Sequence, residues 1–247
     1  MDKIAIVTGG ARGIGRGIAL SLAKRGFSLA LADRLEAPLA ATIAEAEAMG
    51  VAAMPLLGDV SDYAWVQTAA ASVVQRFGRV DVLVNNAGIS QPKGLLDIDE
   101  TEWDVTIDTN LKSMFSWCKA IAPGMLAQGG GRIVNISSVS ANTGAGFSAV
   151  SKFAYCAAKA GVLGLTRGLA KELAPSITVN AICPGAIDTD LTRAMLEKHE
   201  ESVLRSIPMG RFGTAEDIGE VAAFLATVTP NFMTGEVLDV DGGQWVN

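Results

Sequence analysis

The sequence predicts an α/β fold, in which one doubly wound parallel sheet of seven strands carries helices on both faces. Short apolar runs alternate with longer amphipathic stretches along all 247 residues, and each run is apolar throughout. Such runs are typical of parallel strands that are covered on both faces. No repeat, linker or low-complexity stretch divides the chain, so we expect one domain over residues 1–247.

The elements follow one another in a regular order. The predicted strands are Ile4–Val7, Phe27–Ala32, Val51–Leu57, Val80–Val84, Arg132–Ile136, Ile177–Ala181 and Glu236–Val240. The stretches between them predict helices over about residues 14–25, 36–49, 62–77, 101–127 and 152–173. Thr214 and Asp217 give a capping signal for one more helix. Strands separated by helices predict right-handed crossovers in a single sheet.

Composition excludes several classes of protein. Hydrophobic residues make up 49% and charged residues only 19%, so the chain can bury a sizeable core. A net charge of −6 argues against a nucleic-acid partner and against docking on an anionic membrane. Cys118, Cys156 and Cys183 lack metal-ligand spacing, so we expect reduced thiols and no metal site. Without a signal-peptide pattern or a long apolar run, the protein is predicted to be cytoplasmic.

A glycine-rich turn follows the first strand and reads Thr8-Gly9-Gly10-Ala11-Arg12-Gly13-Ile14-Gly15. Glycines between a strand and a helix allow a tight turn, close approach of the backbone to a diphosphate, and free amides at the helix N-terminus. The spacing is T-G-x-x-x-G-x-G rather than G-x-G-x-x-G, and no lysine follows as in a P-loop. A glycine turn by itself is often only a turn. The strand before it, the helix after it and the acid after the second strand together predict a Rossmann-like dinucleotide site.

An acid, Asp33, follows the second strand. A carboxylate at this position can accept both ribose hydroxyls of NAD, and it repels the 2′-phosphate of NADP. Arg12 and Arg34 act in the opposite direction, because guanidinium groups pair readily with phosphate. We expect NAD to be preferred over NADP, because Asp33 occupies the discriminating position. A solvated Asp-Arg turn is the alternative to a ribose-binding role.

Tyr155 and Lys159 lie four residues apart in a predicted helix, so their side chains stand on one face. An ammonium beside a phenol stabilises the phenolate and lowers the pKa of the tyrosine. Such a tyrosine can exchange protons with an alcohol or a carbonyl near neutral pH. The alternative is an ordinary helix with one aromatic residue and one surface lysine. The pair alone does not decide between this and a catalytic role.

Together these features resemble the short-chain dehydrogenase/reductase family over the whole chain. The shared marks are Thr8 to Gly15, Asp59-Val60, Asn85-Asn86-Ala87-Gly88, Asn110, Ser138, Tyr155-x-x-x-Lys159, Pro184-Gly185 and Val240-Asp241-Gly242-Gly243. The resemblance implies an NAD(P)-dependent oxidoreductase that moves a hydride between a nicotinamide and a secondary alcohol or ketone. It also implies a homotetramer that uses the helices over residues 101–127 and 152–173 and the C-terminal strand.

The resemblance implies a role for each predicted catalytic residue. Tyr155 would exchange a proton with the substrate oxygen. Lys159 would hold the nicotinamide ribose and lower the pKa of Tyr155. Ser138 would hydrogen-bond the substrate oxygen, and Asn110 would hold a water that links Lys159 to solvent.

The remaining family positions would form the cofactor pocket. Asp59 and Val60 would bracket the adenine. Without the family pattern, Asn86 and Asn110 would be interpreted as turn or cap residues. The predicted cofactor-binding set is Thr8, Gly9, Arg12, Gly13, Ile14, Gly15, Asp33, Arg34, Asp59, Val60, Asn86, Ala87, Gly88, Tyr155, Lys159, Pro184, Gly185, Ile187 and Thr189.

The chain departs from the family pattern before Tyr155. Seventeen positions separate Ser138 from Tyr155, a few more than is usual, and the extra residues lie within 142–153. The longer loop borders the substrate and leaves Ser140 and Ser148 as alternatives to Ser138. We retain Ser138 because it follows the fifth strand, where the family's serine lies.

The substrate is less well determined by the sequence. Residues 188–209 are predicted to form a flap with Leu191, Met195 and Leu196, while His199 lies in a charged run and is expected at the surface. The first interpretation is a dehydrogenase of a small sugar, polyol or hydroxy acid. The second is a 3-oxoacyl thioester reductase, a subgroup that the chain also resembles.

Few basic residues stand where an acidic carrier protein would dock, either in residues 127–132 or in 173–176, which favours the small alcohol. A third interpretation is a dinucleotide sensor without catalytic activity. The joint presence of Asn110, Ser138, Tyr155 and Lys159 argues against a sensor, which needs no proton relay.

Overall fold

The fold is built on a seven-stranded parallel sheet. The structure is a computed structural model that describes residues 3–144, 151–190 and 192–246. Its strands are β1 (Ile4–Thr8), β2 (Ser28–Asp33), β3 (Ala53–Leu57), β4 (Val82–Asn85), β5 (Gly131–Ile136), β6 (Ile177–Pro184) and β7 (Val237–Val240). Every neighbouring pair is parallel, in the order β3-β2-β1-β4-β5-β6-β7. This order confirms the predicted doubly wound fold.

Helices cover both faces of the sheet. They are α1 (Gly13–Ala23), α2 (Glu36–Ala48), α3 (Tyr63–Phe77), α4 (Glu100–Ile107), α5 (Ser113–Ala127), α6 (Ser140–Thr143), α7 (Phe153–Leu173), α8 (Arg193–Arg205) and α9 (Ala215–Thr227). Thr214 caps α9 in a reciprocal box with Asp217, as the sequence predicts. None of the helices in the described ranges is long and apolar enough to cross a membrane.

The core lies in two layers, one on each face of the sheet. Val7 of β1 packs with side chains of α1, α2 and α9, whereas Ile6 packs with those of α3 and α5. Successive side chains of a strand point to opposite faces, so both sets must be apolar. On the second face Trp117 is fully buried and meets Trp65 edge to face, with ring centroids 6.0 Å apart.

The predicted helix over residues 101–127 contains an irregularity. A π-helical turn, Asp108–Lys112, separates α4 from α5. The sequence does not indicate this turn, since its residues are ordinary for a helix. Such a single wide turn is often found at functional sites, and here it carries the buried Asn110.

Helices α1 and α9 cross at closer range than side chains normally permit. A Cβ atom added to Gly219 would lie 2.6 Å from the carbonyl oxygen of Gly17 and 2.6 Å from Oγ of Ser21. Ion pairs of 2.7 Å, Lys24 with Glu216 and Arg25 with Glu220, flank this glycine seam. The seam therefore fixes the helix that follows the glycine-rich turn against the last helix of the chain.

Candidate active site

A cavity of about 900 Å³ opens at the carboxyl ends of the strands. It lies where β1 adjoins β4 and the strand order reverses, which is where open α/β sheets bind ligands. Except for Thr8, every residue of the predicted catalytic and cofactor-binding sets lines this cavity. Within the described residues, no group of His, Cys, Asp and Glu side chains could hold a metal ion.

Thr8 was predicted to bind the cofactor, but it does not line the cavity. It is buried, and its Oγ1 accepts hydrogen bonds from the backbone amides of Asn86 (2.9 Å) and Ala87 (3.0 Å). In return, Nδ2 of Asn86 donates to the carbonyls of Thr8 (2.9 Å) and Gly9 (3.3 Å). Thr8 therefore joins β1 to the end of β4 beneath the cavity, and Asn86 braces the glycine-rich turn.

The glycine-rich turn has the conformation that its glycines permit. Gly9 and Gly13 have φ values of 68° and 52°, a region that side chains disfavour. A Cβ atom on Gly15 would overlap the carbonyl oxygen of Gly9. In the described structure the side chain of Arg12 does not cap α1, so the first amides of the helix are available to an anion. These features fit the diphosphate of a dinucleotide.

Asp33 supports the glycine-rich turn as well as lining the cavity. Its Oδ2 accepts the amide of Ala11 (3.0 Å), and its Oδ1 accepts the amides of Arg34 (2.8 Å) and Leu35 (3.1 Å). Oδ2 therefore keeps one lone pair for a hydroxyl.

The two arginines near Asp33 differ in their partners. Nη1 of Arg34 lies 3.2 Å from Oδ2 of Asp59, in an exposed ion pair. Within the residues the structure describes, the Arg12 side chain has no such partner. Asp59 also accepts the amide and hydroxyl of Ser61 (2.9 and 2.7 Å). Burial acts to raise the pKa of Asp59, but the hydrogen bonds from Ser61 and Arg34 outweigh it and hold that pKa low.

Tyr155, Lys159 and Ser138 meet on the opposite side of the cavity. Nζ of Lys159 lies 5.6 Å from the centroid of the Tyr155 ring, as expected for neighbours on one helix face. Lys159 is buried, and its Nζ donates to the carbonyl of Ile136 at 2.9 Å. The Ser138 side chain lies beside the phenol of Tyr155 and acts to lower its pKa. A substrate oxygen beside the phenol would therefore meet two hydroxyl groups.

The expectation that Lys159 lowers the pKa of Tyr155 is wrong for the protein by itself. Burial raises the pKa of Tyr155 to about 12, although the Ser138 side chain opposes this. Burial also lowers the pKa of Lys159 to about 8, because the same apolar surroundings disfavour its charged form. The ammonium donates to a backbone carbonyl rather than to the phenol oxygen, so desolvation dominates both groups.

Asn110 lies in the π-helical turn, and its side chain is largely occupied. Nδ2 donates to the carbonyls of Ile89 (3.1 Å) and Thr106 (2.9 Å), and Oδ1 accepts the amide of Ile89 (3.1 Å). A Cβ atom on Gly88 would lie 2.6 Å from Oδ1 of Asn110 and 3.6 Å from Nζ of Lys159. Asn110 is thus beside the lysine, but its amide can offer a water only one remaining lone pair.

The substrate side of the cavity includes residues that sequence reasoning missed. Gln244 and Trp245 line it, and Gln244 connects the amide of Ala186 (3.3 Å) to Oγ of Ser206 (3.1 Å) on the flap. No local signal marks them, because a loop after the last strand reaches the site only through the fold. Of the alternative serines, Ser140 lines the cavity. Ser148, Leu191 and the side chains of Met195 and Leu196 lie outside the described residues.

Comparison with known proteins gives whole-chain matches. Residues 9–244 match the family model described as enoyl-(acyl carrier protein) reductase. A 3-oxoacyl-(acyl-carrier-protein) reductase FabG of Staphylococcus aureus is 43% identical over 252 positions, which cover 100% of this chain and 99% of that protein. Nodulation protein G of Azospirillum brasilense is 41% identical and covers 98% of each chain.

Solved structures agree with these matches. A putative short-chain alcohol dehydrogenase from Sinorhizobium meliloti superposes with a TM-score of 0.93 at 38% identity, over 99% of this chain and 97% of that one. A variant of actinorhodin polyketide ketoreductase with NADPH gives a TM-score of 0.92 at 35% identity, over 98% and 97%. The chain therefore belongs to the short-chain dehydrogenase/reductase family and is an NAD(P)-dependent oxidoreductase.

Proposed function

We propose that the protein reduces the 3-oxo group of an acyl thioester to a secondary alcohol, with hydride from a reduced nicotinamide. The relatives support this substrate class over the small sugar or polyol that the sequence favoured, because the first seven curated relatives are named 3-oxoacyl-(acyl-carrier-protein) reductases. One is a protein of Thermotoga maritima, 39% identical over 98% of this chain.

The observation that carries the proposal is the convergence of Tyr155, Ser138 and Lys159 on one side of the cavity. In reduction, the Tyr155 hydroxyl gives its proton to the substrate oxygen, and the Ser138 hydroxyl donates a hydrogen bond to the same oxygen. A phenol that is protonated at neutral pH is suited to this direction. Lys159 holds the cofactor ribose and favours the phenolate that remains after proton transfer.

The residues of the cavity fit a nicotinamide dinucleotide. The reduced nicotinamide supplies the hydride. The glycine-rich turn and the first amides of α1 would hold the diphosphate, and Asp59 and Val60 would flank the adenine. Asp33 would accept one ribose hydroxyl with the free lone pair of Oδ2, which supports NAD over NADP in spite of the relative solved with NADPH.

A small secondary alcohol remains the second candidate, because the net charge of −6 disfavours an acidic carrier protein. The expectation that a carrier would dock near residues 127–132 has no support from the fold, because the start of β5 lies at the edge of the sheet opposite the cavity. Arg132 there donates to the carbonyls of Leu225 (2.8 Å) and Val228 (2.7 Å), and its charge does not bear on the choice of substrate.

The proposed chemistry is tested with the two tyrosines of the chain. Tyr155→Phe removes the proposed proton donor, and kcat should fall by a factor of ~10²–10⁴ while cofactor binding is retained. Tyr63→Phe is the matched control, because Tyr63 is 41% exposed and stacks on Phe115. Near-normal turnover in folded Tyr155→Phe protein would remove Tyr155 from the mechanism.

The substrate class requires a separate experiment. Initial rates should be compared for 3-oxoacyl thioesters of coenzyme A and of a carrier protein, and for a panel of sugars, polyols and hydroxy acids. The proposal expects the highest kcat/KM with a 3-oxoacyl thioester. A polyol or sugar that exceeds both thioesters would establish the second candidate instead.

The assembly and the flap complete the proposal. A homotetramer is supported by apolar side chains on α4 and α5, since Val105, Phe115 and Leu126 are 49%, 48% and 46% exposed. Residues 188–209 would close over the substrate, because α8 contributes Ser202 and Val203 to the cavity. The three cysteines are reduced thiols that form no disulfide, which supports a cytoplasmic location.

A further inference from the structure

Four consecutive residues at the end of β5 contact α7 through polar groups. Nδ2 of Asn135 donates to Oγ1 of Thr166 at 2.9 Å, and the carbonyl of Ile136 accepts Nζ of Lys159 at 2.9 Å. Oγ of Ser137 donates to the carbonyl of Lys159 at 2.8 Å, and the side chain of Ser138 lies beside the phenol of Tyr155. The proposed mechanism uses only the second and fourth of these contacts.

Ser137 is placed to control where Lys159 lies. Its backbone amide is tied to the carbonyl of Ile182 at 2.7 Å, so the residue is fixed in the β5–β6 ladder. Its hydroxyl is buried and lies between the Lys159 carbonyl and the thiol of Cys183. The hydrogen bond thus connects a rigid part of the sheet to the helical residue that carries the ammonium.

We propose that Ser137 is a positioning residue, whose hydroxyl sets the placement of α7 on β5 and thereby the position of Lys159 and Tyr155 at the substrate. The inference rests on the proposed function of these two side chains. Ser137 contacts neither substrate nor cofactor in this role, although it borders the cavity.

The physical reason is that the polar ends of the Lys159 and Tyr155 side chains are each held by few polar contacts. The ammonium of Lys159 is fixed by one carbonyl, and the phenol of Tyr155 lies beside one hydroxyl, so a small shift of α7 moves both together. Displacement of a catalytic group by about 1 Å can reduce a rate by as much as ~10²-fold. A shift of α7 also changes the burial that sets the pKa of Tyr155.

The experiment compares Ser137→Ala with Ser116→Ala. Ser116 is the matched control, because it is buried and donates to a helix carbonyl, that of Lys112 at 3.0 Å, in α5. Ser137→Cys keeps a weak donor of similar size. For each variant we would measure kcat in both directions, the pH profile of alcohol oxidation, the KM for cofactor, and Tm.

In Ser137→Ala we expect kcat to fall roughly tenfold and the pH midpoint of oxidation to shift, because the burial and the Ser138 contact that set the pKa of Tyr155 both change with the position of α7. Ser137→Cys should lie between this variant and the wild type. Ser116→Ala should lower Tm by a similar amount with unchanged kcat and pH midpoint.

Two outcomes would overturn the inference. One is a Ser137→Ala enzyme whose kcat and pH midpoint match the wild type. The other is a Ser116→Ala enzyme that shows the same changes, because the effect would then be general loosening. Failure of the proposed function is distinguishable, since it appears as normal turnover in Tyr155→Phe with Ser137 intact.

Discussion

Replacement of Asp33 by serine should move the preference of the enzyme from NAD toward NADP. The carboxylate lies at the end of β2 and lines the cavity, where it would repel a 2′-phosphate. Two unit charges about 4 Å apart interact by ~4 kcal/mol at an effective dielectric constant of ~20, and by ~1 kcal/mol in water. Because Asp33 is partly exposed, we expect the lower part of this range, a shift of roughly ten- to hundredfold in the ratio of kcat/KM values.

The same substitution should weaken the binding of both cofactors. Asp33 accepts the amides of Ala11, Arg34 and Leu35, and a single hydroxyl oxygen cannot accept all three. The glycine-rich turn therefore loses support. Asp33→Asn is the matched variant, because it removes the charge but keeps the shape and one acceptor oxygen. If both variants change the ratio of kcat/KM for NAD to kcat/KM for NADP, the change is due to the lost charge. If both variants raise the KM for both cofactors, the rise is due to the weakened glycine-rich turn.

The assay is kcat/KM for each cofactor with one substrate, at low and at high ionic strength. Repulsion between exposed charges is screened by salt, so the preference for NAD that we propose should narrow as salt increases. A wild type that prefers NADP would show that Arg12 and Arg34 outweigh Asp33. An unchanged ratio in Asp33→Ser would refute the assignment of Asp33 as the discriminating group.

Two further predictions concern stability. Gly219→Ala places a Cβ atom 2.6 Å from a carbonyl of α1 and should lower the free energy of unfolding by ~1–3 kcal/mol. Gly124→Ala is the control, because its Cβ atom would have nothing within 4 Å and should not lower the free energy of unfolding. Urea denaturation of both variants measures the difference. For Lys159 the pKa falls from 10.5 to about 8 on folding, so the unfolded chain binds more protons between these values. The free energy of unfolding of the wild type should therefore rise relative to that of Lys159→Met as pH increases from about 8 to 10.5, by up to ~1.4 kcal/mol per pH unit. Parallel curves for the two proteins would contradict a lysine whose pKa is lowered by burial.

The sequence predicted the sheet from local patterns, and it predicted most of the site from the resemblance to a known family. Continuous apolar runs gave the strands, and the motif residues follow those strands directly, so the parallel arrangement brings them to one edge. Strand ends differ modestly, for example β6 continues to Pro184. Such ends depend on pairing with a neighbour, here β7, which propensity alone does not reveal.

Features that depend on tertiary contacts were not predictable. The π-helical turn around Asn110, the role of Thr8 beneath the cavity and the approach of Gln244 to the flap arise from partners far away in the chain. The pKa of Tyr155 is a similar case. The spacing to Lys159 suggested a lowered pKa, but burial, which depends on the whole fold, decides its direction.

The glycine seam between α1 and α9 has a consequence for the order of synthesis and folding. Gly17 of α1 leaves the ribosome long before Gly219 of α9, yet the two helices pack directly on each other. Contacts of such sequence separation make folding slow and keep apolar surface exposed in the nascent chain. The glycine-rich turn therefore acquires its final support only when the last helix has been made, so dinucleotide binding by the nascent chain should appear late, after residue 227 has emerged.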